Sequence, residues 1–270
     1  MEHLIWNIDP VLVSFGAIKI HWYGVLFSAA ILSGLQVMKW IYKTENIELD
    51  TLDTLLGYVV VGIIVGARLG HCFFYDPSYY FANPMKILAI WEGGLASHGG
   101  GLGVILAIGL YVKKYKVSYL WILDRLAIGT ALFGVFVRFA NFINSEILGV
   151  QTNVPWAVIF ARIDNVPRHP AQLYEAFAYL FIFITLIGLY KRFKSKSPNG
   201  LLLGTFLILA FTARFLIESV KQKQAAYSSE FILNTGQMLS IPFFIAGIVL
   251  VVLALKKLNQ PQTVSNKKYK

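Results

Sequence analysis

Apolar segments of about 20 residues recur along this chain of 270 residues, and they constrain its fold more than any other feature. Each segment is long enough to cross the roughly 30 Å of hydrocarbon in a bilayer. Charged residues make up only 14% of the chain, whereas an ordinary soluble domain is about a quarter charged. The sequence therefore predicts an all-α polytopic membrane protein that forms a single integral-membrane domain over residues 1–270.

The predicted bundle has seven transmembrane helices, near residues 21–42, 54–75, 95–112, 119–143, 171–190, 200–220 and 237–255. The connections after the first, third and fifth spans, together with the C-terminal tail, hold fourteen Lys and Arg residues, whereas the opposite side holds six. Because basic residues mark the cytoplasmic side, we expect the N-terminus outside and the C-terminus inside. The net charge of +10 is then a consequence of topology and of attraction to anionic lipid, and a nucleic-acid partner is not needed.

Segments outside the predicted spans have their own patterns. Residues 11–20 alternate around a glycine, which predicts a short hairpin or an amphipathic arm at the outer interface. Residues 146–170 contain the β-prone run VPWAVIF and predict a small extracytoplasmic cap. Residues 259–270 are polar and basic and predict a flexible cytoplasmic tail. The N-terminus has no basic leader and no small-residue cleavage site, so no removable signal peptide is expected.

Three arginines are predicted at a similar depth in the outer half of the membrane: Arg68, Arg138 and Arg214. An arginine at the centre of a spanning helix costs about 2.5–3.5 kcal/mol, so such residues need a reason. One interpretation is that they pair with carboxylates and clamp helices together, as the i,i+4 spacing of Arg214 and Glu218 allows. Another is that they bind an anion. Arg138 has no acid at i±3 or i±4 but has Asn141 at i+3, which predicts an unpaired guanidinium beside an amide, an arrangement suited to an incoming phosphate.

Other polar residues leave both structural and functional interpretations open. Arg125 follows Asp124 near the inner end of the fourth span, where it can pair locally or extend toward water. In SHGGGLG, the GxxxG spacing of Gly99 and Gly103 favours close helix packing, while His98 could act as a base or a hydrogen-bond donor. The polar residues of RHPAQLYEA suit helix capping as well as chemistry, and the lone cysteine, Cys72, excludes an internal disulfide and fits a buried thiol.

These polar groups come from six spans and open toward the outer leaflet. A transporter more often places its polar groups near the midplane on broken helices, so the asymmetry favours a membrane enzyme with a lipid or surface substrate. A transporter or flippase for an anionic amphiphile, and a structural subunit whose arginines clamp helices, are the alternatives.

The order and spacing of several motifs carry a family resemblance: HWYG, GARLGHCFFY, WEGGLASHGGGLG, VRFANFINSEILG, VPWAVIF with RHPAQLYE, and ARFLIESVK. From about Ile8 to Ile245 the chain resembles the bacterial prolipoprotein diacylglyceryl transferases. The resemblance implies a seven-helix bundle with an extracytoplasmic head in the bacterial cytoplasmic membrane, its active site open to the outer leaflet. It implies transfer of the diacylglyceryl group of phosphatidylglycerol to the lipobox cysteine of a prolipoprotein, the first step of lipoprotein maturation. A thioether forms, glycerol 1-phosphate leaves, and no metal or other cofactor takes part.

The resemblance also implies site residues. Arg138 matches the family's phosphatidylglycerol-binding arginine, Arg214 a second essential arginine, and His98 the histidine of an HGG motif continued by Gly99 and Gly100. Further matching polar positions are Tyr23, Asn141, Glu146 and Glu218.

Three positions depart from the family pattern. The chain reads HGGGLG where HGGLIG is frequent, Ala210 stands where some members have a tyrosine, and Lys221 stands where an arginine is common.

A mechanism follows from these assignments. Arg138, helped by Arg214, stabilises the charge that develops on the leaving phosphate, because fixed donors in a low-dielectric pocket act strongly on such charge. His98 is the candidate base or positioning group for the thiol. Glu218 orients Arg214, and Asn141 and Tyr23 bind the glycerol headgroup or the ester oxygens.

Overall fold

The computed structural model describes residues 3–16, 18–222 and 233–258. Within them, each predicted span coincides with one long helix, and a short helix, α3 (Pro77–Ala82), follows the second. The long helices are α1 (Trp22–Thr44), α2 (Leu49–Phe74), α4 (Ser97–Tyr115), α5 (Tyr119–Ile143), α6 (Ala171–Phe193), α7 (Leu201–Glu218) and α8 (Thr235–Leu258). The predicted tail, residues 259–270, lies outside the described residues.

Six of these helices are long and apolar enough to cross a membrane: α1, α2, α5, α6, α7 and α8. Helix α4 is not among them, since it begins with Ser-His-Gly-Gly-Gly and carries Lys113 and Lys114 in its last turn. The chain is thus a mostly helical protein with six candidate membrane spans, and crossing by a seventh stays a prediction.

The chain forms two compact units, which are described separately. One contains residues 1–38 and 123–270, and the other contains residues 39–122.

A small sheet lies in the first unit, in the segment where the sequence predicts a cap. Strand β4 (Val158–Phe160) pairs in parallel with the N-terminal β1 (Leu4–Trp6) and antiparallel with β5 (Pro167–Arg168). Trp6 and Leu173 pack against a buried cluster formed by Phe142, Leu148, Val158 and Phe160. The Trp6 and Phe142 ring centroids are 4.4 Å apart. The sheet therefore holds the end of α5 in place.

The alternating segment near the N-terminus forms an antiparallel hairpin of β2 (Val11–Phe15) and β3 (Ile18–His21). Phe15 and Ile18 are exposed at its tip, which fits an amphipathic arm, although contact with a membrane interface stays a prediction.

A side chain of α5 caps the first turn of helix α7. The carboxylate of Asp124 accepts hydrogen bonds from the backbone N–H groups of Gly200 at 2.7 Å and Leu203 at 2.8 Å. These are donors that the start of a helix cannot satisfy internally. The neighbouring Arg125 is fully buried, with Nη1 3.9 Å from Asp124, so it does not extend toward water as one interpretation had it.

In the second unit, α2 and α4 pack through glycines. A Cβ atom at Gly62 would lie 2.6 Å from the carbonyl oxygen of Gly103, and one at Gly70 would lie 2.7 Å from the Cα of Gly99. The helix-packing interpretation of the GxxxG spacing is confirmed, because any larger side chain would push the helices apart.

Arg68 has a structural role in the same unit. Its Nε donates to the carbonyl of Ile87 at 2.9 Å, and its Nη1 and Nη2 donate to those of Gly93 and Lys86, both at 2.5 Å. The side chain is buried and clamps the loop after α2. Arg68 thus holds a loop through backbone carbonyls, whereas the clamping interpretation had it pair with a carboxylate and hold helices together.

Candidate active site

Arg138 lies on α5 five residues before the helix ends, one turn from the Phe142 ring that anchors the cap. Its Nε is 3.1 Å from Oε2 of Glu175, whose side chain is 7% exposed, while that of Arg138 is 21% exposed. The prediction of an unpaired Arg138 is therefore wrong. Helix periodicity tests only acids on the same helix, whereas Glu175 comes from the first turns of α6.

Asn141 connects Arg138 to a second carboxylate. Its Oδ1 accepts from Nη1 of Arg138 at 3.4 Å, and its Nδ2 donates to Oε2 of Glu146 at 3.0 Å. The other Glu146 oxygen accepts from Nδ2 of Asn144 at 3.2 Å, and the backbone carbonyl of Glu146 accepts from the buried Gln172 side chain. Both ends of the Asn141 amide are thus engaged, and this geometry orients Arg138.

Lys221 continues the network on the other side of Glu175. Its Nζ lies 3.2 Å from Oε1 of Glu175 and 3.6 Å from Oε2 of Glu218. Glu218 was expected to orient Arg214, but in the described part of the chain its ion pair is with Lys221 instead, three residues away. Helical spacing permits both pairs, and the side-chain geometry selects the second.

Arg214 is exposed on α7. Among residues 3–16, 18–222 and 233–258, its guanidinium makes no hydrogen bond and no ion pair.

Arg138 and Arg214 line one cavity between α5, α6 and α7. Its remaining lining residues are Glu175, Ala178, Tyr179, Ile182, Ala210, Ala213 and Ile217. The cavity volume is about 20 Å³, which is room for about one water molecule. In this conformation one carboxylate oxygen of Glu175 lies at Nε of Arg138, and the other lies at Nζ of Lys221.

The other predicted site residues are not part of this cavity lining. Tyr23, at the start of α1, is half-buried and stacks on Phe27 with ring centroids 6.2 Å apart. His98 is exposed in the first turn of α4 in the second unit, where Gly99 packs against α2 and Gly100 lies against Ala67. The roles predicted for Tyr23 and His98 stay predictions.

Two residues at the cavity were missed as site residues. The sequence places Glu175 in a polar first turn, but its two cation partners become visible only in the fold. Tyr179 is one helical turn further along α6, in a run of apolar residues that gives no signal of its own.

Comparisons with known proteins show the family of this chain. The family model described as prolipoprotein diacylglyceryl transferase matches residues 10–253. A phosphatidylglycerol–prolipoprotein diacylglyceryl transferase of Tolumonas auensis is 52% identical over 255 residues, covering 94% of this chain and 98% of that protein. Proteins of the same name from Chloroherpeton thalassium and Porphyromonas gingivalis are 43% and 44% identical, covering 97% and 94% of this chain and 98% and 95% of their own lengths. With matches of this extent, the chain belongs to the prolipoprotein diacylglyceryl transferase family.

Proposed function

We propose that this protein transfers the diacylglyceryl group of phosphatidylglycerol to the lipobox cysteine of a prolipoprotein. The sulfur–carbon bond of a thioether forms, the bond between the glycerol carbon and the phosphate oxygen breaks, and glycerol 1-phosphate leaves. The observation that carries the proposal is the cavity between α5, α6 and α7, which is lined by Arg138, Arg214 and the carboxylate of Glu175. Family membership and the names of the relatives support the same reaction.

The electrostatic requirement of this reaction matches the two arginines. The phosphodiester of phosphatidylglycerol carries one negative charge, and the phosphate monoester that leaves can carry two. Arg138 is held in place through Nε and Nη1, and Nη2 makes no hydrogen bond among the described residues. Fixed donors aimed at developing charge in a site of low dielectric lower the barrier most. Arg138 is therefore assigned to the leaving phosphate, with Arg214 as the second cation.

The supporting residues act through these arginines. Asn141 and Glu146 fix the orientation of the Arg138 guanidinium, and Lys221 neutralises Glu175 when a headgroup takes its place. Proton removal from the cysteine thiol, whose ordinary pKa is about 8.5, is assigned to His98, and Tyr23 remains the proposed contact for the glycerol headgroup. Close packing by Gly99 and Gly100 sets the position of the helix that carries His98.

Topology and location complete the proposal. Helix α4 would be the seventh span of a protein in the bacterial cytoplasmic membrane, with its N-terminus outside and the cavity open to the outer leaflet. The excess of basic residues in alternate connections supports this orientation. A membrane-impermeant maleimide tests it on a background in which the buried Cys72 is replaced by alanine. The Ser14→Cys variant should react in intact cells, whereas the Ser195→Cys variant should react only after permeabilisation. The reverse pattern would contradict the orientation.

The function is tested with purified protein, phosphatidylglycerol and a peptide that contains a lipobox cysteine. Mass spectrometry should show the addition of one diacylglyceryl group to the cysteine. Arg138→Ala should abolish the addition while the protein stays inserted, and Arg138→Lys should also fail, because an ammonium cannot reproduce the planar guanidinium fork. Arg192→Ala removes an exposed arginine at the far end of α6 and is the matched control.

The same assay separates the alternative functions. A flippase would move the lipid without modifying the peptide, and a purely structural subunit would lose stability, rather than only activity, in the Arg138→Ala variant. Diacylglyceryl transfer by Arg138→Ala would remove Arg138 from the mechanism.

A further inference from the structure

Tyr179 brings a phenolic hydroxyl to a cavity otherwise lined by charged and apolar side chains. It is half-buried on α6, four residues after Glu175, so both side chains are on one face of the helix. Across the cavity α7 contributes Arg214 together with the small or apolar residues Ala210, Ala213 and Ile217.

The base of the Tyr179 ring is fixed by contact with α5. A Cβ atom built on Gly134 would lie 2.7 Å from Cγ, 2.8 Å from Cδ1 and 3.0 Å from Cδ2 of the tyrosine. A glycine at this point lets the ring lie directly against the α5 backbone. At the other end of the ring, the hydroxyl forms no hydrogen bond among the described residues, so a well-positioned donor is left for a ligand.

Tyr179 lies at a definite depth relative to the charged residues. Arg138 and Glu175 form one level between α5 and α6, and Gly134 and Tyr179 form the next level, four residues further from the cap along both helices. At a rise of 1.5 Å per residue, the two levels are roughly 6 Å apart. Because the cap follows α5 and precedes α6, the backbone of Tyr179 is on the membrane side of the backbone of Arg138 in either orientation of the protein.

A phospholipid in this cavity has its own order of chemical groups. The phosphate is nearest to water, and the two ester groups that join glycerol to the acyl chains lie deeper. If the phosphate meets Arg138, the group that reaches the next level is an ester carbonyl, which is an acceptor and needs a donor. A lipid ester in an apolar environment loses its hydrogen bonds to water. A donor at this depth therefore favours a lipid with an ester carbonyl over one without it.

We propose that the Tyr179 hydroxyl donates a hydrogen bond to an ester carbonyl of the diacylglyceryl group and makes the enzyme selective for ester-linked lipid. This inference rests on the proposed function. It makes Tyr179 a substrate-contacting specificity residue and assigns it no proton transfer in the reaction. Gly134 is its positioning residue.

The test compares phosphatidylglycerol with a diether analogue of the same chain length, which keeps the phosphate and lacks the ester carbonyls. The wild-type protein should use the diester with a higher kcat/KM than the diether. Tyr179→Phe should lower kcat/KM for the diester by about 3- to 10-fold, the factor that corresponds to one hydrogen bond, and should leave the diether unchanged. Equilibrium binding of both lipids, measured with no peptide present, should change in the same way.

Two further variants separate this contact from general effects. Arg214→Gln should lower kcat/KM and the binding affinity for both lipids by the same factor, because both lipids keep the phosphate. Tyr174→Phe removes another α6 hydroxyl, which accepts from Trp156 at 2.7 Å outside the cavity, and should keep the wild-type ratio of the two lipids. An equal effect of Tyr179→Phe on both lipids, or none, would overturn the assignment. Absence of any transfer by the wild-type protein would instead overturn the proposed function, and the binding ratio would still decide whether Tyr179 reads the ester.

Discussion

Replacing Glu175 by glutamine should lower the stability of the lipid-free protein and increase the stabilisation that an anionic lipid gives it. The two carboxylate oxygens lie 3.1 Å from Nε of Arg138 and 3.2 Å from Nζ of Lys221. Glutamine has the same size but no charge and only one acceptor oxygen. Breaking a fully buried ion pair costs about 3–5 kcal/mol. Because Arg138 is 21% exposed and Lys221 keeps Glu218 within 3.6 Å, we expect a loss of only about 1–3 kcal/mol.

The assay is thermal unfolding in detergent, with and without phosphatidylglycerol. Without lipid, Glu175→Gln should melt several degrees lower than wild type, at about 2–4 °C per kcal/mol. With the lipid, its melting temperature should rise more than that of wild type, since the phosphate meets an Arg138 that is no longer neutralised. Phosphatidylcholine is the lipid control, and adding Arg138→Ala should abolish the extra gain. Equal stabilisation of both proteins by phosphatidylglycerol would show that Glu175 and the phosphate do not compete for Arg138.

Three further substitutions test other parts of the structure. Gly103→Leu should separate α2 from α4, because even a Cβ atom there has no space, and crosslinking between the two helices should be lost although expression persists. Asp124→Asn should cost about 1–3 kcal/mol, because one amide oxygen cannot replace a charged acceptor for two N–H groups, and the unfolding midpoint in denaturant should fall accordingly. Arg168, through a side-chain hydrogen bond, lowers the pKa of the Asp164 carboxyl, so this pair stabilises the cap above the ordinary aspartate pKa and stops doing so as pH falls through the lowered value. In the Asp164→Asn variant, the resistance of the cap to proteolysis should therefore fall less as the pH is lowered. The same pH dependence as in the wild type would show that the pair contributes nothing.

The long helices could be predicted from the sequence because hydrophobic runs need no knowledge of partners. Their ends were less certain: α2 begins at Leu49, earlier than the predicted 54, since the polar residues Asp50 and Asp53 form its first turn. Strand β1 was not predicted at all. A strand of three residues is stabilised by its partner, and that partner, β4, lies far along the chain.

The candidate site shows a similar division. The pairing of Arg138 with Asn141 follows from their i,i+3 spacing on one helix. The bond to Glu175 and the contact of Gly134 with Tyr179 join different helices, and helical periodicity carries no information on such neighbours. Helical spacing allows Glu218 to pair with either Arg214 or Lys221, and in the structure its ion pair is with Lys221.

The parallel pairing of β1 with β4 has a consequence for biogenesis. The segment Leu4–Trp6 is synthesised before α1, whereas its partner, Val158–Phe160, follows only after α1, α2, α4 and α5 have been synthesised. Contacts between segments that are so distant in the sequence form slowly. Since the Trp6 ring rests on Phe142 at the end of the helix that carries Arg138, a nascent chain halted before residue 160 should already have formed the helices up to α5 and still lack the contact that fixes the end of α5.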